Sequence, residues 1–316
     1  MQEQVHVAAG VLVDEQGRVL IAQRHADTHQ GGLWEFPGGK LQAGEDPEAA
    51  LARELHEELG VTIRAFRPLI RISHRYPDRS VVLYVYRVSA WEGVAEGIED
   101  QPLAWADPDH LGAYAMPAAD RPIVSALRLP ERYVITPPRI DDAQRFLAQL
   151  DILLEQGVRL FQFRVFDAGS MDLSELFRQV DAHCRAANAT LLCNAGAQAA
   201  RNLGASGLHL SSRQLLACEM RPQGFEWVAA SCHCEEDLRQ AERLELDFAV
   251  LSPVLPTRSH PDAEPLKWDG FARLAGDARI PVYALGGMHA GMLEDAWRAG
   301  AQGIAGIRGF WDDAAI

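Results

Sequence analysis

The stretch Gly39-Lys-Leu-Gln-Ala-Gly-Glu45-Asp-Pro-Glu-Ala-Ala-Leu-Ala-Arg53-Glu54-Leu-His-Glu57-Glu58-Leu-Gly60-Val61 decides how the first half of this chain is read. Pro47 follows a Gly-Glu-Asp start and Gly60 stands just past the last apolar position, so a helix is expected over Pro47–Leu59. Within it Glu54, Glu57 and Glu58 are spaced i, i+3 and i+4, which puts three carboxylates on one face. Like charges this close repel. A solvated face tolerates them, and the triplet alone favours that reading; a hard divalent cation such as Mg²⁺ or Mn²⁺ would instead turn the repulsion into coordination.

Outward from this helix the first half is mixed α/β. Val5–Val13 and Val19–Gln23 flank Asp14-Glu15-Gln16-Gly17 and read as a hairpin. Leu69–His74 and Ser80–Ser89 form a second strand pair around Tyr76-Pro77-Asp78-Arg79, and Asp120–Leu129 reads as a closing helix. From Tyr133 the rhythm changes to short apolar strands: Tyr133–Thr136, Leu160–Arg164, Thr190–Cys193, Gly207–Leu210, Trp227–Ser231, Phe248–Ser252, Val282–Ala284 and Gly303–Ile307. Helical patterns lie between most of them, over Asp141–Gln156, Leu173–Ala187, Glu235–Arg243 and Ala290–Ala299. The expected fold class is therefore α/β throughout, a mixed-sheet domain over 1–129 and a parallel (β/α)8 barrel over 130–316, with an open doubly wound sheet as the alternative. Pro130 marks the boundary. At about 185 residues the second domain is shorter than the ~250 typical of such barrels, so its connections must be short.

The chain's 316 residues suit two domains, and 48% hydrophobic with 23% charged residues is ordinary globular usage. Apolar runs such as Val81–Tyr86 are far short of the ~20 residues of a membrane span, so no membrane partner is expected. Met1-Gln-Glu-Gln4 lacks the basic and apolar segments of a secretory signal. The five cysteines, scattered from Cys184 to Cys234, make no disulfide framework. Both features point to the cytoplasm. Net charge is −14, with 19 acids against 12 bases in residues 1–128 and 25 against 18 in 129–316. Neither half suits direct DNA binding. A phosphate ligand would have to be neutralised locally, by a divalent metal or by placed arginines and backbone amides.

The full pattern around the acidic helix resembles the Nudix box, Gly-x5-Glu-x7-Arg-Glu-U-x-Glu-Glu-x-Gly-U with U apolar. It is matched at Gly39, Glu45, Arg53, Glu54, Leu55, Glu57, Glu58, Gly60 and Val61. The resemblance implies a hydrolase of nucleoside diphosphates linked to a further group, with Glu54, Glu57, Glu58 and the Gly38 carbonyl holding Mg²⁺ or Mn²⁺, and with Glu45 and Arg53 orienting the carboxylates. Ala22-Gln-Arg24, His29, Leu33-Trp-Glu-Phe36-Pro-Gly-Gly-Lys40, Tyr76-Pro-Asp78-Arg79, Trp91-Glu-Gly93, Glu99 and Pro117-Ala-Ala-Asp120-Arg-Pro122 are similar to the MutT branch over nearly all of residues 4–128. That branch cleaves oxidised purine nucleoside triphosphates, chiefly 8-oxo-dGTP, to monophosphate and pyrophosphate, an activity that sanitises the nucleotide pool and serves DNA repair. By position Arg24 would meet the triphosphate, while His29, Phe36, Asp78 and Arg79 would line the nucleoside pocket. Glu57 or Glu99 would take a proton from the attacking water. Asp120 departs from the branch, which usually has an asparagine against the oxidised guanine edge. An ionised aspartate only accepts hydrogen bonds, whereas a protonated one mimics the amide. Base preference is left open between oxidised guanine, oxidised adenine and a broader range.

Residues 131–316 resemble thiamine-phosphate synthase and its relative TenI. The matching stretches are Gly157-Val-Arg-Leu-Phe-Gln162-Phe-Arg164, Leu192-Cys-Asn194, Gly207-Leu-His209-Leu, Ala230-Ser231-Cys-His233, Leu251-Ser-Pro253-Val-Leu-Pro256-Thr257, Tyr283-Ala-Leu-Gly286-Gly287-Met and Gly303-Ile-Ala305. The resemblance implies a site for a phosphorylated thiamine-pathway metabolite, drawing on Gln162, Arg164, Gly286, Gly287 and Arg308. Yet Ala195 replaces a metal-binding aspartate, Gln214 or its neighbourhood a second one, and Phe166 a lysine that would hold diphosphate. His260 stands near another expected lysine. These departures argue against synthase activity, and they leave an active transferase and a metabolite sensor as alternatives. Cys232-His233-Cys234 reads as barrel packing rather than as a metal site, because three consecutive ligands cannot readily converge from a strand end.

Overall fold

The computed structural model describes residues 4–27, 30–75, 80–257 and 264–311. The chain divides into two compact units, Met1–Arg128 with Gly276–Arg279, and Leu129–Ala275 with Ile280–Ile316.

The first unit contains β1 (Gln4–Leu12), β2 (Val19–Gln23), β3 (Trp34–Glu35), β4 (Gly38–Lys40), α1 (Pro47–Leu59), β5 (Thr62–Arg75), β6 (Ser80–Glu92), β7 (Leu103–Ala106) and α2 (Arg121–Arg128). One sheet has the order β4-β1-β6-β5 and a second the order β3-β2-β7. β1 is buried on both faces, and its alternation sorts its side chains. Ala8 and Leu12 join Ala50, Leu51, Leu55 and Leu59 of α1, while Ala9 and Val11 join Ile123 and Ala126 of α2. The expected hairpin of the first two strands is corrected here. Only Val13 and Val19 form an antiparallel bridge. Beyond it the strands part, because β1 is already paired with β4 on one side and in parallel with β6 on the other, and β2 pairs with β3 and β7.

The α1 boundaries match the expected helix. The Asp46 carboxylate accepts from the amides of Glu48 and Ala49 at 3.0 and 2.9 Å, and the amide of Gly60 closes the other end on the His56 carbonyl. Burying one face fixes the other: the carboxylate face is turned toward β4.

In the second unit eight parallel strands close into a barrel, which excludes the open-sheet alternative: β8 (Arg132–Ile135), β9 (Leu160–Phe163), β10 (Thr190–Asn194), β11 (Gly207–Leu210), β12 (Trp227–Cys232), β13 (Phe248–Leu251), β14 (Val282–Leu285) and β15 (Gly303–Gly306). The helices are α3 (Ala143–Glu155), α4 (Leu173–Ala186), α5 (Ala197–Asn202), α6 (Ser212–Ala217), α7 (Glu235–Arg243), α8 (Lys267–Gly276), α9 (Leu293–Arg298) and α10 (Arg308–Trp311). Tyr133, Phe248 and Tyr283 fill the barrel interior with ring centroids 5.3–5.7 Å apart. Among the described residues no helix is long and apolar enough to cross a membrane, and all five cysteines are free thiols.

Candidate active site

The α1 carboxylates meet β4 through a short chain of contacts. The Gly38 amide donates to Glu58 Oε2 at 3.0 Å. The Arg53 guanidinium forks onto Glu45, with Nε and Nη2 each 2.9 Å from a carboxylate oxygen. It also donates to Glu54 at 2.8 Å, to Glu57 at 3.1 Å and to the Lys40 carbonyl at 3.1 Å. Arg53, with the Gln42 amide, holds Glu45 down to about 2, and these carboxylates in turn raise the arginine. One arginine thus ties the loop carboxylate Glu45 to the helix carboxylates Glu54 and Glu57.

Glu58 lies in the opposite electrostatic situation. Burial drives its carboxyl up to about 8; the Gly38 hydrogen bond opposes this, and the negative charges of Glu54, Glu35 and Glu99 add to it. Glu99 reaches this position on a loop tied to the end of α1. The Ile98 amide and Gln101 Nε2 both donate to the Glu58 carbonyl at 3.0 Å, and Gln101 Oε1 accepts from the Glu99 amide at 2.9 Å. Glu58 thus sits against Gly38 of β4 with the charges of Glu54 and Glu99 acting on it, while Glu57 is more than half exposed.

This donor set fits a hard divalent cation. It consists of oxygens only, and the buried Glu58 is surrounded by like charges that a cation would relieve. The cage is not ready-made, since among the described residues no three His, Cys, Asp or Glu side chains stand grouped for a metal. Arg53 engages Glu54 and Glu57 instead.

A second cluster lies beside the first. Arg24, just past β2, pairs with Glu35 of β3, and the strand register that sets Ala22 opposite Glu35 brings them together. Burial raises the Glu35 carboxyl, and Arg24 opposes the rise. Asp120 faces the same pair and is only 7% exposed. Its Oδ2 and the Arg24 Nε are buried without a hydrogen-bond partner. Phe36 is buried in the apolar core with Ile123 and Ala126. His29, Asp78 and Arg79 lie outside the described residues. Sequence reasoning missed Glu35 and Gln101. Glu35 could have been found from its place opposite Ala22 once two-residue β3 is recognised; Gln101 left no signal, because its role is a tertiary contact.

At the C-terminal ends of the barrel strands, a cleft of about 310 Å³ is lined by Gln162, Arg164, Asn194, Ser231 and His233 among others, and it shares Gly286 with a second cleft of about 380 Å³ that contains Gly287 and Arg308. The five expected residues therefore converge on adjoining clefts. Phe166 lies at this mouth, and the Arg164 guanidinium stands 4.8 Å from its ring centroid. Among the described residues no carboxylate lines either cleft. Gln214 is occupied in a capping box with Ser211 at the start of α6. The donor set of the described residues here does not fit a divalent metal. A buried chain unread in the sequence runs below the mouth: Gln162 Nε2 donates to the Tyr133 hydroxyl at 3.1 Å, that hydroxyl is 3.1 Å from His209 Nδ1, and His209 Nε2 is 2.9 Å from the Ser231 hydroxyl.

Among known proteins, residues 8–126 match the NUDIX domain, and residues 132–310 match the family described as thiamine monophosphate synthase. An 8-oxo-dGTP diphosphatase of Escherichia coli (strain K12) is 36% identical over 126 residues, 40% of this chain and 98% of that protein. A CTP pyrophosphohydrolase of the same organism is 34% identical over 122 residues, covering 39% and 90% of the two chains. A putative thiamine-phosphate synthase 2 of Aquifex aeolicus (strain VF5) is 33% identical over 185 residues, 58% of this chain and 99% of that protein.

Proposed function

The chain belongs to the Nudix family through its first unit and to the thiamine monophosphate synthase family through its second, and from that premise we propose an Mg²⁺-dependent pyrophosphohydrolase of oxidised nucleoside triphosphates fused to a barrel without synthase activity. The first unit is a Nudix hydrolase. The observation that carries the finer reading is the buried Glu58 carboxyl, held 3.0 Å from the Gly38 amide with the negative charges of Glu54, Glu35 and Glu99 bearing on it. Carboxylates crowded in this way are a poor surface for a triphosphate unless a cation separates the two.

Glu54, Glu57, Glu58 and the Gly38 carbonyl would hold Mg²⁺, or Mn²⁺ in its place. Bound there, the ion would offset the triphosphate charge and polarise the phosphorus–oxygen bond under attack. Arg53 then serves to orient: its fork on Glu45 fixes the guanidinium from which Glu54 and Glu57 are positioned. Glu57 or Glu99 accepts the proton of the attacking water. The products are the nucleoside monophosphate and pyrophosphate. Arg24 and Asp120 serve the nucleotide, and His29, Phe36, Asp78 and Arg79 are assigned to its pocket by position. The substrate pool is placed in the cytoplasm, in keeping with five unpaired thiols.

For the barrel, the absence of carboxylates along both clefts among the described residues supports loss of the metal-assisted departure of pyrophosphate. Arg308, Gly286 and Gly287 retain the means to bind a phosphorylated thiamine-pathway metabolite. Incubation of the full chain and Mg²⁺ with a nucleotide panel, and separately with the pyrimidine diphosphate and thiazole phosphate precursors, tests both halves. The expected outcome is pyrophosphate release from oxidised triphosphates and no thiamine phosphate. Formation of thiamine phosphate would overturn the barrel reading, and inert oxidised triphosphates would overturn the hydrolase substrate.

A further inference from the structure

The buried hydrogen bonds under the barrel mouth run in one direction. Tyr133 and His209 are wholly buried, and Gln162 is only 2% exposed. The Gln162 amide nitrogen can only donate, so the Tyr133 oxygen accepts from it at 3.1 Å; the single hydroxyl proton is left for the other neighbour, His209 Nδ1, also at 3.1 Å. Reversal would leave that proton without an acceptor in a closed interior, which burial penalises. Burial, with the Arg164 charge, pushes His209 down to about 3, so the ring holds one proton near neutrality. Because Nδ1 accepts, that proton lies on Nε2. Nε2–H donates to the Ser231 oxygen at 2.9 Å, and the Ser231 hydroxyl proton is left for the cleft that this residue lines. Two other hydroxyls of the cleft are spent, since Ser211 donates to Gln214 at 2.9 Å and Ser212 to Asp237 at 3.2 Å. Arg164 lines the same cleft, where burial lowers it and no carboxylate opposes the shift. Among the described residues, Ser231 and Arg164 thus turn unspent donors to one space.

We propose that Gln162 and Tyr133 are positioning residues: through the tautomer of His209 they fix Ser231 as a hydrogen-bond donor, so that the cleft takes an acceptor-only anionic oxygen, of a phosphate or a carboxylate, with no metal. The inference rests on the metabolite-binding reading of the barrel and deepens it. Gln162 then acts from behind the ligand, two side chains below the hydroxyl that meets it. The same direction excludes Ser231 as a nucleophile activated by His209, because the histidine donates to the hydroxyl oxygen and takes no proton from it. Without Tyr133 the ring is free to carry its proton on Nδ1. Nε2 would then accept the Ser231 proton, and the cleft would lose that donor.

The test is nitrogen NMR of the full chain with ¹⁵N-labelled histidine at pH 7. His209 is recognised by its loss in His209→Asn, and in the wild-type chain as a ring that stays neutral down to pH 5. Its signals should show the proton on Nε2, and in Tyr133→Phe they should move toward the Nδ1–H form. Inorganic phosphate and, separately, acetate are titrated and followed at the same signals, and the tighter of the two identifies the ligand group. Affinity should fall roughly tenfold in Ser231→Ala and in Tyr133→Phe, with no further fall in the double variant, because Tyr133 acts through Ser231. A proton on Nδ1 in the wild-type chain, a tautomer unmoved by Tyr133→Phe, or losses that multiply in the double variant overturns the positioning role. The expected tautomer with neither anion bound supports that role and overturns the metabolite-binding reading, so the two can fail separately.

Discussion

At Gly38 a Cβ would stand 2.1 Å from the Ala8 carbonyl oxygen, and at Gly39 one would stand 2.3 Å from the Glu54 carboxyl. Adjacent glycines therefore serve different ends. Gly38 also has φ +147°, so a side chain there strains the backbone and strikes an immovable strand. Gly39 only clears the tip of a flexible side chain, and that tip is one of the carboxylates assigned to the metal. We predict that Gly38→Ala costs at least about 2 kcal/mol of stability, read as a lowered midpoint in urea. Gly39→Ala should leave that midpoint nearly unchanged and lower kcat/KM on 8-oxo-dGTP by roughly 10- to 100-fold. The reverse pattern would remove Glu54 from the site. The glycine positions were legible in the sequence as part of a spaced motif, but the division of labour between them was not, because it depends on what lies opposite each one.

Among the elements, α1 and the barrel strands were the most legible. Asp46, Pro47 and Gly60 punctuate α1, and each barrel strand is a short apolar run. β3 and β4, of two and three residues, are too short to show any period, and with them went the Arg24–Glu35 pair. The hairpin of the first two strands was misread for another reason: local turn chemistry favoured it, whereas the central place of β1 between β4 and β6 left no edge for β2. In the barrel, β8, β9, β11 and β12 enclose the Gln162–Tyr133–His209–Ser231 chain, and burial with the nearby Arg164 charge pushes His209 down to about 3. An unfolded histidine takes up a proton near 6.5, well before the folded one does. Stability of this unit is thus complete above about pH 6.5 and declines as pH falls toward 3, by at most about 1.4 kcal/mol per pH unit from this group. Urea unfolding of the full chain from pH 7 to pH 4 should show this loss, and His209→Asn, less stable at pH 7, should show a flatter dependence. An identical slope in both chains would mean that His209 is not the responsible group.

At the scale of the whole molecule, two units of different ancestry differ in what their sites retain. The first keeps every specified residue of its motif and sets Glu58 against Gly38 of β4 under the charges of Glu54 and Glu99. The second keeps the barrel and its clefts, which the described residues line without carboxylates. That contrast was visible in the sequence as Ala195 and Phe166 against an otherwise matched pattern, while the convergence of Gln162, Arg164, Gly286 and Arg308 on adjoining clefts needed the closed barrel. In the first unit we propose that cleavage of a triphosphate depends on a divalent cation held by the α1 carboxylates. Pyrophosphate release from 8-oxo-dGTP by the full chain, followed across an Mg²⁺ titration with Glu57→Gln alongside, tests it most directly. Release should be absent in EDTA, rise to saturation with Mg²⁺, and drop by roughly 10²- to 10⁴-fold in the variant; equal release in EDTA, or a variant as fast as the wild-type chain, would show that the α1 carboxylates do not act through a divalent cation.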